Sequence, residues 1–381
     1  MAGALALGIG TDGMAHDGPH EFTADELIGI DGVVNDFLAS SGTPGAIVGL
    51  WIPERGTLVK TYGVSDVESG MAPTDADTFR IASITKTFVA TLLLQLVDEG
   101  SIALDTPLSE FDFGFPKSET ATLAQLLGMT SGIFSYTEDE GFVTEYIANP
   151  MMPFTPLEAL EIARKHEPYF APGEGIHYSD TNTVIAGLIA EQLTRQSLPD
   201  LLAERIFTKE LLQSTSFAVN DPTMPDPHLT GYTPPAGDKP MTDATESNPD
   251  VGWAAGAMIS NLNDLSVWAE VLATGALLSP ERQAARMQVV PMAEGSPVHY
   301  GLGIMELFGF YGHNGGIAGY STIMLYDPND GTTIVVATNL SDEHGGGADT
   351  IALGLIQLLL PERIPGSATP LASPVASPVS S

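Results

Sequence analysis

The sequence predicts an α/β chain in which an antiparallel sheet flanked by helices is built from both chain ends, with a largely helical region inserted between them. Three observations carry this. β-rich runs bounded by turn residues occur early, in "PGAIVGLWI" and "GTLVKTYGVSD", and again late, in "STIMLYDPNDGTTIVVATN". Residues 105 to 250 carry helix signals, prolines and loops instead. The chain has 381 residues, 43% of them hydrophobic, which suits one large or two intimately joined domains.

Taken in order, residues 1–21 form an N-terminal arm whose "MAGALALGIGTDG" has a short apolar segment and small residues but no positive flank, the remnant of an export signal at most. A helix starts near Thr23, where "TADE" matches a capping box ahead of the apolar positions of "LIGIDGVVNDFL". Two strands follow around a turn at "PERG". "RIASITKTFVATLLLQLVDEG" is then a long apolar helix, and "TLAQLLGMTSGI" and "TNTVIAGLIAEQLT" supply further helices. From Ala254 strands return, and "ADTIALGLIQLLL" closes the fold as a helix. The boundaries are 22–80 with 254–364 for a discontinuous α/β domain and 81–253 for a helical domain. Residues 365–381, Pro, Ser and Ala without periodicity, read as a disordered tail.

Composition excludes several function classes. Lys and Arg total 14 against 48 Asp and Glu, a net charge of −34 that repels nucleic-acid phosphate and anionic membranes. Such acidity fits either high-salt adaptation or a soluble secreted enzyme, and an extracytoplasmic location, secreted or in the cell envelope, is expected. With no cysteine there is no disulfide, zinc thiolate or Cys nucleophile. The histidines form no metal-ligand pair, and "SDEHGGGAD" around His344 reads as a polar loop, so neither metal nor cofactor is expected. The apolar runs are too short to span a bilayer. The expected partner is a small-molecule or peptide substrate.

The chemistry begins at Ser83 and Lys86. Either residue is ordinary at a helix start, as cap or surface charge. Three positions apart they share one helix face, so hydroxyl and amine can meet. The positive helix end and partial burial then disfavour the ammonium, and the amine becomes a base for a serine nucleophile. "FAPGEGIHYSDTNT" holds Tyr178, Ser179 and Asp180 on a loop before an apolar helix. "YGHNGGIAGYSTIML" holds His313, Asn314, Gly315 and Gly316 at a strand entrance, and Trp253 precedes the small-residue run "AAGAMIS".

In this order the segments resemble the penicillin-recognising serine hydrolases: class C β-lactamases, serine DD-peptidases and related esterases and D-amino-acid amidases. The likeness rests on "FRIASITKTF", "LLGMTSGI", "FAPGEGIHYSD", "GWAAGAMIS", "YGLGI" and "GHNGG", and runs from about Thr43 to about Leu360. It implies a β-lactamase/transpeptidase-like fold with Ser83 as nucleophile, Lys86 as neighbouring base or electrostatic partner, and Tyr178 as proton shuttle. The backbone N–H groups of Ser83 and Gly316 would form the oxyanion hole, with Asp180, His313, Asn314, Gly315 and Trp253 about the substrate. Two departures stand out. Asp180 occupies a position usually held by Asn, where it could pair with Lys86; "SDT" also admits a reading with Ser179 as the shuttle. Between Arg286 and Arg363 there is no Lys or Arg, although the family's carboxylate-binding cations come from this region.

The reaction implied is acylation of Ser83 and hydrolysis of an ester, small amide or D-amino-acid peptide, neutral substrates favoured. The alternatives are a penicillin-binding D-Ala-D-Ala carboxypeptidase or a β-lactamase, and, in a different class, a non-catalytic peptide-binding member of the fold. No G-x-S-x-G elbow is present to suggest an unrelated α/β-hydrolase.

Overall fold

The computed structural model describes residues 21–53, 55–115, 120–210, 212–234, 240–341 and 347–366. The N-terminal arm up to residue 20, the loop around His344 and the tail from residue 367 lie outside the described residues.

In chain order the helices are α1 (Ala24–Ser41), α2 (Thr85–Asp98), α3 (Leu123–Leu127), α4 (Glu140–Ala148), α5 (Pro156–Ala163), α6 (Asp180–Thr194), α7 (Leu198–Leu202), α8 (Thr208–Glu210), α9 (Leu262–Thr274), α10 (Pro280–Arg286) and α11 (Gly347–Leu359). The early strands are β1 (Gly45–Ile52), β2 (Gly56–Gly63), β3 (Thr78–Arg80), β4 (Ser216–Phe217), β5 (Tyr232–Thr233), β6 (Thr242–Asp243) and β7 (Met258–Asn261). The late strands are β8 (Val290–Pro291), β9 (Val298–Tyr300), β10 (Met305–Leu307), β11 (Phe310–Ile317), β12 (Tyr320–Tyr326) and β13 (Thr333–Thr338).

The main sheet runs β2-β1-β13-β12-β11-β10-β9-β8 and its pairs are antiparallel. β1 meets β13 with Ala46 opposite Thr338, which joins the two chain ends in one sheet. Main-sheet strands resume only at Val290, later than the sequence suggests, because α9 and α10 intervene and β7 belongs to a smaller sheet ordered β3-β7-β4.

Alternation along β1 divides the core. Ala46, Val48, Leu50 and Ile52 face a layer formed by α1 and α11, whose contributions include Ile30, Val34, Ile351 and Leu355. Ile47 faces the opposite layer, where α2, α6 and α9 pack. α1 has the expected capping box, with Thr23 Oγ1 accepting from Glu26 N and Thr23 N donating to the Glu26 carboxylate. α2 is buried on all sides from Thr85 to Val97, and each large apolar side chain there contributes about 1.5–3 kcal/mol. Trp268 of α9 stacks on Phe88 at 3.9 Å while its indole N–H donates to Thr87 Oγ1, fixing the axial position of α2. The helix that carries the chemistry is therefore a rigid strut.

Candidate active site

Ser83 lies one turn earlier than the helical pattern suggests. It sits in a short 3-10 turn, Ala82–Ile84, immediately ahead of α2, and is half-buried. Ala82 has φ 45°, a left-handed conformation that an L side chain adopts at a cost of order 1–3 kcal/mol. Neighbouring strands hold it there. Ile81 N donates to Met258 O of β7 at 3.0 Å, and Thr85 Oγ1 accepts from Met258 N at 3.2 Å. On the other side β11 presses directly on the turn: a Cβ at Gly315 would lie 2.3 Å from Ile81 O and 2.9 Å from Ser83 N. Only glycine allows this approach.

Lys86 Nζ donates to Ser83 Oγ at 2.8 Å, to Ala255 O at 2.8 Å and to Asp180 Oδ1 at 2.6 Å. All three N–H groups of the ammonium are thereby used. Burial lowers its pKa from that of a free lysine, and the Asp180 carboxylate opposes the shift. Asp180, the first residue of α6, is held by Thr137 Oγ1 donating to Oδ2 at 2.7 Å and by its own N–H donating to Ser135 Oγ at 3.0 Å.

Tyr178 brings its ring to 5.0 Å from Lys86 Nζ. Its hydroxyl is buried without a hydrogen-bond partner. Burial raises its pKa well above the ordinary phenol value, the Asp180 charge adds to this, and the nearby Ser83 hydroxyl opposes it. The next residue, Ser179, is wholly buried with its hydroxyl also unpartnered, and neither it nor Tyr178 lines the cavities described below; what sets Tyr178 apart is its contact with Lys86. Met129 supports this loop. Its sulfur accepts from Ser179 N and from Asn182 Nδ2, and Asn182 Oδ1 accepts from Ser131 Oγ at 2.7 Å. The "LLGMTSGI" segment is thus the bed on which the tyrosine loop rests.

His313 is 1% exposed and faces Tyr178 and Tyr300. Its Nε2 lies 3.0 Å from Tyr300 OH, and its Nδ1 bonds the Asn314 carbonyl, an acceptor only. The carbonyl fixes a proton on Nδ1, while Nε2 and the Tyr300 hydroxyl share the second hydrogen bond. Burial, assisted by the Lys86 charge, pushes its pKa down to about 4.

An inner cavity of about 220 Å³ opens beside Ser83, with Asp180, Tyr136, Phe142, Val143 and Gly316 in its wall. It adjoins an outer cleft of about 1140 Å³ that shares Thr137, Tyr146, Gly316 and Ile317 and adds Asp243 and Glu246. Beyond Gly312, β11 has no partner on its β10 side among the described residues, so Gly316 borders the cavity from a free strand edge.

The structure turns three expected substrate contacts elsewhere. Asn314 alternates to the far face of β11 and donates to Asp349 of α11 at 2.7 Å. Trp253 is buried against Gly187 of α6 and anchors the turn that offers the Ala255 carbonyl to Lys86. His313 lines neither cavity. Gly315 acts through its missing side chain, and Asp180 does reach the inner cavity. Sequence reasoning missed Tyr300, Thr137 and Tyr136; the first lies within the quoted "YGLGI", but nothing local ties it to His313. Among the described residues no cluster of His, Cys, Asp or Glu could hold a metal ion.

Fold and residue order together are those of the penicillin-recognising serine hydrolase family. A family model described as Beta-lactamase matches residues 30–358, and the chain belongs to that family. Among solved structures it is similar to a D-stereospecific amidohydrolase from Streptomyces sp. (30% identity, TM-score 0.78, covering 87% of this chain and 97% of that one). It is also similar to the D-amino acid amidase of Ochrobactrum anthropi SV3 (26% identity, TM-score 0.77, covering 90% of this chain and 100% of that one). Protein flp of Staphylococcus aureus strain MRSA252 is 26% identical over 337 residues, 84% of this chain but 64% of the relative, so the chain spans less than two thirds of that protein's length.

Proposed function

We propose that the chain hydrolyses esters, small amides or D-amino-acid peptide bonds through an acyl-enzyme on Ser83. The observation that carries this is the 2.8 Å contact between Lys86 Nζ and Ser83 Oγ at the wall of a cavity that Gly316 also lines. Loss of one proton from Lys86, which burial favours, frees a lone pair for the Ser83 proton as Oγ attacks the acyl carbon. The N–H groups of Ser83 and Gly316 receive the developing oxyanion, each worth roughly 2.7–4 kcal/mol. Tyr178, unpartnered beside Ser83 and Lys86, passes the proton to the leaving group. Water then enters by the reverse path and releases the acid.

Neutral substrates are favoured over those bearing a carboxylate. Among the described residues no Lys, Arg or His lines either cavity. Arg80, three residues before Ser83, is buried, with Nε and Nη2 on the Thr245 and Pro222 carbonyls and Nη1 unpartnered, and Arg164 donates to the Phe113 carbonyl. A carboxylate brought beside Ser83 would stay unpaired.

Intact-protein mass spectrometry after exposure to a fluorophosphonate, with the adduct mapped, tests the nucleophile. The adduct is expected on Ser83 and absent from Ser83→Ala; an adduct that survives the substitution removes Ser83 from the role. Comparing kcat/KM for a neutral short-chain ester, a D-Ala-D-Ala peptide and a cephalosporin tests the substrate class. A preference of about tenfold or more for either carboxylate-bearing compound, about 1.4 kcal/mol, points instead to a carboxypeptidase or β-lactamase.

A further inference from the structure

We infer that Asp180 selects acyl donors that present an N–H group, above all a protonated amine, beside the reacting carbonyl. The inference rests on the serine-hydrolase reading above and extends it to the acyl group.

Lys86 and Asp180 form an ion pair, but the two are not equally visible to a substrate. The Lys86 side chain is 1% exposed, with its three N–H groups spent on Ser83, Ala255 and Asp180. Asp180 is 18% exposed and lines the inner cavity with Ser83. What the cavity meets is therefore the carboxylate end of the pair. A carboxylate is acceptor-only and offers about four lone-pair sites. Lys86 takes one on Oδ1 and Thr137 one on Oδ2, which leaves capacity facing the cavity. A substrate carbonyl or carboxylate docked there meets repulsion, whereas an N–H or ammonium completes the set.

Distance fits an acyl-side substituent. Asp180 Oδ1 is two consecutive hydrogen bonds from Ser83 Oγ, through Lys86 Nζ. An amine on the carbon next to the attacked carbonyl falls within that span. The surroundings agree: Tyr136, Phe142 and Val143 give the inner cavity apolar walls for the rest of the acyl group, and the outer cleft adds the exposed acids Asp243 and Glu246. The imidazole of His313 behind the site is neutral and contributes no opposing charge.

The test uses three p-nitroanilides with one leaving group: phenylalanine p-nitroanilide (each enantiomer), its N-acetyl derivative and the 3-phenylpropanoyl compound without nitrogen. Values of kcat/KM are measured at about pH 6.5, where the α-amine is protonated, for the wild type and Asp180→Asn. The wild type is expected to favour the better enantiomer of the free amine over the N-acetyl compound by tenfold or more. The isosteric Asn, which can donate to a carbonyl, is expected to shrink that ratio at least tenfold. Fluorophosphonate labelling of both proteins reports whether Ser83 is competent. Normal labelling with an unchanged ratio overturns the inference and leaves the hydrolase reading standing; no Ser83 adduct in the wild type overturns both. Should Asp180→Asn fail to fold, Thr137→Val, which frees a lone pair on Oδ2, is expected to raise the amine preference, and a fall overturns the inference.

Discussion

Replacing Gly315 by alanine tests the contact that sets the geometry of the nucleophile. The added Cβ would stand 2.3 Å from Ile81 O, 2.9 Å from Ser83 N and 3.0 Å from Ala82 Cβ. Two of these atoms are backbone, and the Ser83 turn is already clamped by β7 through Ile81 and Thr85, so the free edge of β11 must give way. Restoring ordinary contact takes a retreat of roughly 1 Å, a displacement that can cost about a hundredfold in rate. Gly316 moves with it, so the expected loss in kcat is roughly 100- to 1,000-fold, comparable to removing one oxyanion donor. Stability is expected to fall by only about 1–3 kcal/mol, as for an overpacked interior. The assay is steady-state hydrolysis of the best neutral ester beside a urea melt. A Gly315→Ala protein with kcat within threefold of the wild type would mean that β11 does not hold Gly316 against Ser83.

Three further outcomes are expected. Tyr178→Phe should lower kcat by roughly 100- to 10,000-fold, while Ser179→Ala, which deletes an unpartnered buried hydroxyl, should leave kcat near wild type; the opposite ranking would move the proton relay to Ser179. Native His313 titrates at about 4 against 6.5 for a free imidazole, so the unfolded chain takes up a proton first as pH falls. The stability due to its burial is present above about pH 6.5 and is lost on the way to about pH 4, on the order of 3 kcal/mol. A His313→Asn variant should lack that slope in urea midpoints, and coincident slopes would refute the assignment. Arg286 is buried, with its pKa pushed down to about 9 and its Nη2 on Thr91 Oγ1, and Thr91 keeps a bond to Thr87 O without it. Arg286→Met is therefore expected to hold or raise the melting temperature, and a clear drop would show that the guanidinium stabilises the fold.

Features written in local chemistry were legible in the sequence. The Thr23 capping box, the β1–β2 turn and the apolar α2 follow from neighbours within a few positions. The pairing of Ser83 with Lys86 follows from spacing, whereas a meeting of Lys86 with Asp180 was open only as a possibility once the family resemblance had placed Asp180. What was not legible depends on segments far apart. No local pattern announces that Ala82 turns left-handed, because that conformation is imposed by β7 and β11. Thr137 reaches Asp180 across 43 positions, and Ala255 reaches Lys86 across 169. Asn314 misleads for a simpler reason: strand alternation sends adjacent side chains to opposite faces, so the residue beside His313 points toward α11.

The pairing of β1 with β13 bears on how the chain reaches this state. Gly45–Ile52 leaves the ribosome long before Thr333–Thr338, yet each completes the other's ladder. Until β13 arrives, the β1–β2 hairpin keeps one edge of unpaired amides and carbonyls, and the apolar faces of α1 and β1 wait for α11. Closing so large a loop is entropically costly and slow, so the nascent hairpin is the segment most exposed to wrong partners during synthesis. Chaperone demand should therefore be set by the time between the first hairpin and the last strand, and a circular permutation that joins the termini, so that β1 follows β13 by way of α11 and α1, should shorten it.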